Sequence, residues 1–133
     1  MPTTKRILIV RTGRPSEAVA QRFGGFDAWF GRIVSPRVDV EVADALAPLP
    51  PFSDFDGLLL TGSLASVRER APWMQALAHW SLAAARDRPV LGVCFGHQLL
   101  GWALGGRVEL NPAGPECGAR TVTLTAAGRA DPL

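Results

Sequence analysis

A chain of 133 residues with 47% hydrophobic and 20% charged residues has the size and make-up of one compact globular domain, not of a disordered or fibrous protein. Fourteen Lys and Arg against twelve Asp and Glu leave a net charge of +2, and the basic residues form no stripe. Charge therefore argues against a nucleic-acid or membrane-surface partner, and no run of about 18 apolar residues exists to cross a bilayer.

The start, MPTTKRILIV, pairs basic residues with an apolar run, but RTGRPSE breaks that run at once. A buried first strand over Lys5–Val10 is expected, not a leader. SEAVAQRF, led by Pro15 and Ser16, predicts a helix, and after Gly24-Gly25 the segment Phe26–Val34 predicts another. Phe26, Trp29, Phe30 and Ile33 fall on one face of it. Val38–Ala45 alternates as an edge strand does. LAPLPPFSDF is proline-rich loop.

Asp56–Ser63 predicts a third strand ending in a glycine turn. Ala71–Asp87 predicts a helix with Pro72 in its first turn. Arg88–Val93 is a fourth strand, and FGHQLLGWALGG a helix that stops at Gly105-Gly106. GRVEL and RTVTLT predict two more strands around the loop NPAGPECGA. Strands alternating with helices predict an α/β fold with a mainly parallel sheet and helices on both faces. Sites in such sheets gather at the carboxyl ends of strands. Thr61-Gly62-Ser63 and Cys94 both fall there.

The two cysteines, Cys94 and Cys117, are expected as reduced thiols in a cytoplasmic protein. Cys94 stands in Gly92-Val93-Cys94-Phe95-Gly96, between a strand and a helix. Gly92 and Gly96 let the backbone turn sharply, which would thrust the side chain out over the sheet edge; these five residues alone equally allow a small cysteine buried between strand and helix. A strained backbone with positive φ is expected at Cys94. The N–H groups that open the next helix favour an anion there and can bind an oxyanion.

The longer segment PVLGVCFGHQLL resembles the active-site pattern of the class I glutamine amidotransferases. LLLTGSLASV resembles that family's oxyanion strand and turn, and VTLTAAGRADPL the segment before its catalytic histidine. The resemblance implies a flavodoxin-like fold. It also implies that Cys94 attacks the side-chain amide of glutamine, that the backbone N–H groups of Ser63 and Phe95 hold the oxyanion, that Gly62 shapes the turn and that Gln98 helps position glutamine. Leu64 stands where the family usually has proline. No metal or cofactor is expected, because Cys94, His97, Cys117 and His79 stand at no familiar zinc spacing and no P-loop or dinucleotide glycine fingerprint is present. The partners that the resemblance implies are glutamine and a synthetase or acceptor-modifying domain or subunit.

The family's histidine, followed two residues later by glutamate, has no counterpart in these residues. The only histidines are His79 and His97, and neither lies in His-x-Glu. Both are expected to be surface or packing residues. We therefore expect residues 1–133 to be the N-terminal part of a longer, C-terminally incomplete amidotransferase domain, inactive as given, with VTLTAAGRADPL loosely held. Two other readings stay open: a catalytically silent α/β binding or regulatory module, and a related cysteine-elbow hydrolase.

Overall fold

The computed structural model describes residues 4–132; Leu133, the last residue of VTLTAAGRADPL, lies outside them. Four parallel strands form one sheet in the order β2-β1-β3-β4: β1 (Arg6–Arg11), β2 (Asp39–Asp44), β3 (Gly57–Leu60) and β4 (Val90–Gly92). Helices α1 (Glu17–Phe23) and α2 (Phe26–Val34) join β1 to β2. Helix α3 (Pro72–Ala84) joins β3 to β4, and α4 (Phe95–Ala103) leaves β4. This is the flavodoxin-like α/β arrangement.

The central strands are apolar where both their faces are covered, in Ile7–Val10 of β1 and Leu58–Leu60 of β3. Leu8 and Val10 of β1 pair in register with Leu58 and Leu60 of β3. These four join Met74, Leu77, Ala78, Phe95 and Leu99 of α3 and α4 in the main core. Ile9 and Leu59, one residue out of phase, are also buried but belong to the opposite face. Helix α2 packs on β1 and β2. Burying each such Leu or Ile contributes roughly 1.5–3 kcal/mol. Strand β2 lies at the sheet edge as expected, but its burial does not follow the alternation: Val42, on the apolar phase, is 44% exposed.

Arg11, the last residue of β1, joins three elements. Its guanidinium bonds Asp44 at the end of β2 (2.9 Å) and faces Asp27 in the first turn of α2 (3.7 Å). The Leu46 backbone N–H and Arg11 hold the Asp44 carboxyl below its ordinary 3.8.

Three expectations need correction. GRVEL and RTVTLT form no strand, because among the described residues neither segment gains a ladder partner. Val122 is 78% exposed and Leu124 56%. A β-branched run becomes a strand only where a neighbouring strand and a core face receive it. A short helix the sequence did not announce, α5 (Ala126–Ala130), follows instead, with the Thr125 hydroxyl accepting from the Gly128 N–H (3.0 Å). Ile33 of α2 is 72% exposed, so the stripe read for that helix is not buried as a whole. Phe26 and Trp29 do meet edge to face at 5.2 Å.

Candidate active site

The chain leaves β1 toward β2 on one side and later returns to place β3 on the other. The crevice between the carboxyl ends of β1 and β3 is thus the topological switch point, where open α/β sheets bind ligands. Three turns converge at this edge: residues 12–13 after β1, 61–63 after β3 and 93–94 after β4.

Cys94 is the N-cap of α4 and has φ +55° and ψ −109°. The positive φ is the one expected for this turn. A non-glycine residue there stores strain of order 1–3 kcal/mol and persists only when its surroundings over-determine it. They do so here. The Val93 N–H bonds the Leu60 carbonyl (3.0 Å), continuing the β3–β4 ladder to the residue before the cysteine. The Gly96 N–H reaches both the Val93 carbonyl (3.0 Å) and the Thr61 carbonyl (3.2 Å), and the Gln98 N–H closes onto the Cys94 carbonyl (3.0 Å).

Sterics explain the two flanking glycines. A Cβ on Gly96 would lie 2.5 Å from the Leu60 oxygen, and one on Gly92 would lie 2.5 Å from the Gly96 carbonyl. Neither position has room for a side chain. Gly62 differs: a Cβ there would stand 3.6 Å from the Cys94 Cβ and 4.0 Å from its Sγ, which is ordinary contact. Glycine at 62 therefore leaves the thiol uncovered instead of avoiding a collision, and Cys94 is exposed.

Phe95, the first residue of α4, is 1% exposed and stacks on Trp73 of α3 at 5.5 Å. That contact fixes the start of α4. Its backbone N–H belongs to the opening turn of the helix, where no intrahelical acceptor exists. Ser63 follows Gly62 in the turn against Cys94, and its Oγ accepts from the Ala65 N–H (3.1 Å). Leu64 is 76% exposed. Gln98 is exposed on α4, and His97 is exposed beside it. His79 is exposed on α3, where its Nδ1 meets the Gln75 carbonyl at 2.8 Å, and it lines a separate groove with Trp102.

Sequence reading passed over Thr12 and Gly13. Both abut the Thr61-Gly62-Ser63 turn: Thr12 is buried and bonded to Thr61 and Gly62, while a Cβ on Gly13 would fall 2.3 Å from the Ser63 Oγ. A signal was available, since the dipeptide Thr-Gly ends both β1 and β3.

The fold and this strand–turn–cysteine–helix junction define an α/β domain with an exposed thiol at the switch edge. The family model for Glutamine amidotransferase class-I matches residues 31–129. The chain is 38% identical over 96 residues to a glutamine-hydrolyzing GMP synthase subunit of Halobacterium salinarum, covering 72% of this chain and 46% of that protein. It is 36% identical over 73 residues to gamma-glutamyl peptidase 5 of Arabidopsis thaliana, covering 53% of this chain and 28% of the relative. A glutamine amidotransferase structure from Methylobacillus flagellatus superposes with a TM-score of 0.61 at 28% identity, covering 83% of this chain and 43% of that one. The chain belongs to the class I glutamine amidotransferase family. It spans about half or less of the length of these relatives.

Proposed function

We propose that Cys94 is the nucleophile of a glutaminase half-reaction. The observation that carries this reading is the positive φ of an exposed cysteine at a strand–helix junction, beside a glycine turn. The Cys94 thiolate attacks the side-chain amide carbon of glutamine. The C–N bond breaks, ammonia leaves with a proton, and a γ-glutamyl thioester remains. Water then cleaves the thioester to glutamate and the free thiol. The Ser63 and Phe95 N–H groups hold the oxyanion of each tetrahedral intermediate. Gly62, Gly92 and Gly96 shape the site, and Gln98 helps position the substrate.

Two relatives' names, one glutamine-hydrolyzing and one a gamma-glutamyl peptidase, fit a site that opens a γ-glutamyl carbonyl. The GMP synthase relatives favour delivery of the ammonia to a synthetase domain or partner chain.

No base is assigned within residues 1–133. His79 is engaged with the Gln75 carbonyl on α3, and His97 is a surface residue of α4. Losing general-base and general-acid help costs typically ~10²–10⁴-fold. The 133-residue chain should therefore form a covalent adduct at Cys94 with a glutamine-derived chloroketone, yet release ammonia from glutamine no faster than Cys94→Ala does. Failure to form the adduct would count against the glutamine reading. Steady ammonia release that Cys94→Ala abolishes would overturn the missing base and direct attention to His97 or His79.

A further inference from the structure

We infer that Thr12 is a positioning residue for the oxyanion turn, acting through the Gly62–Ser63 peptide. The inference rests on the proposed role of the Ser63 N–H and extends it to a residue on another strand end.

A buried set of hydrogen bonds links Thr12, Thr61 and Gly62, the two hydroxyl oxygens themselves lying 3.3 Å apart. The Thr12 N–H donates to the Thr61 Oγ1 (3.1 Å). The Thr61 hydroxyl donates to the Gly62 carbonyl (3.1 Å). The Thr12 hydroxyl donates to the Thr61 carbonyl (2.8 Å), with the Gly62 carbonyl also in reach at 3.0 Å. Thr12 is 6% exposed and Thr61 fully buried, so water does not compete for these groups. Every proton in the set has an acceptor.

The Gly62 carbonyl and the Ser63 N–H belong to one planar trans peptide, so they point in opposite directions. The Thr61 hydroxyl donates to that carbonyl and the Thr12 hydroxyl, shared with the Thr61 carbonyl, lies within 3.0 Å of it, so the carbonyl is held toward β1. The Ser63 N–H is thereby held on the side away from the threonines. Gly62 is a residue that could otherwise rotate freely, so an anchor on its carbonyl is what the turn needs. Gly13 completes the bracket: its bare Cα lets the end of β1 lie directly against Ser63. The Thr61 carbonyl also accepts from the Gly96 N–H, two residues past Cys94 (3.2 Å). One carbonyl therefore ties the β1 end, the oxyanion turn and the cysteine elbow together.

The exposed leucine at position 64 makes such an anchor more necessary. The resemblance calls for a proline there to stiffen the turn, and this chain lacks it. The threonine bracket supplies rigidity from the other side.

The test compares two reactions of Cys94 in a Cys117→Ser background. Acylation by para-nitrophenyl acetate passes through an oxyanion: the S–C bond forms, the carbonyl oxygen takes up charge, and the C–O bond breaks as nitrophenolate departs with its electron pair. Alkylation by iodoacetamide displaces iodide at carbon and forms no oxyanion. Thr12→Val keeps the shape and removes the hydroxyl. We expect Thr12→Val to slow acylation about tenfold or more, since small displacements of catalytic groups reach ~10²-fold, while alkylation holds within about twofold. Thr12→Ser should restore acylation. Equal slowing of both reactions, or no slowing of either, would overturn the positioning role. If the parent chain shows no acylation at Cys94, the oxyanion reading itself fails. Amide exchange at Ser63 then judges the bracket: faster in Thr12→Val and restored in Thr12→Ser supports it, and unchanged exchange refutes it.

Discussion

Residues 57–104 and residues 105–132 both carry apolar runs, yet only the first stretch forms sheet, and of the second only Val108 packs against the core among the described residues. In LLL of β3 every side chain is buried between covered faces, and in VTL of residues 122–124 every side chain is exposed. The difference lies in neighbours. β3 has β1 on one side and β4 on the other, whereas residues 107–125 have no strand beside them among the described residues. Secondary structure at a sheet is therefore a property of pairing, and the elbow that holds Cys94 inherits its strain tolerance from that pairing.

The sharpest way to break the contrast is to push a methyl group into the elbow. Gly96→Ala places a Cβ against the Leu60 oxygen at 2.5 Å, so β3 or α4 must move. We expect a loss of about 3 kcal/mol in urea unfolding, at the upper end of overpacking costs, together with loss of selective reaction at Cys94. A methyl group seven residues from Cys94 should do the reverse. Gly101→Ala lies within α4 with nothing beyond its own helix backbone and chain neighbours within 4 Å of the new Cβ. Its gain should be about 0.5–1 kcal/mol from helix propensity.

A weaker effect belongs to the β1–β2 end. Asp44 has a depressed folded-state pKa, chiefly from the Leu46 N–H and then from Arg11. Its contribution is present above the ordinary 3.8 and is lost as pH falls through the lower folded value. In acid unfolding curves Asp44→Asn should reduce stability at pH 6 and flatten the decline below pH 4, with a small amplitude because the pair is partly exposed. The smallest effect is expected in the second stretch: Leu124→Ser should change the urea midpoint by the equivalent of about 0.5 kcal/mol or less. A larger loss would show that residues 121–125 are packed in solution.

Much of this architecture is legible in the residues themselves. KRILIV and DGLLLTGS read as buried strands because both faces demand apolar side chains. Gly92 and Gly96 announced the turn because no other residue fits where helix and strand touch. Pro72 marked the start of α3. What the sequence left unread depends on distance along the chain. Thr12 and Thr61 are 49 positions apart, and no local period relates them. RTVTLT met every local criterion for a strand and lacked only the partner, which no local pattern can report. Thr125 could have been read as a cap for α5, but a five-residue helix offers no periodicity.

The most direct test of the account sets the two cysteines of one chain against each other. Cys94 and Cys117 are both exposed, one on a strained elbow beside candidate oxyanion donors and one in a loop. A limiting amount of para-nitrophenyl acetate, followed by peptide mapping, measures the partition between them. Oxyanion donors are worth about 10²–10³-fold in rate, so acylation should fall on Cys94 by at least about tenfold over Cys117. An even partition, or a preference for Cys117, would contradict the claim that the turn at Cys94 is built for nucleophilic attack.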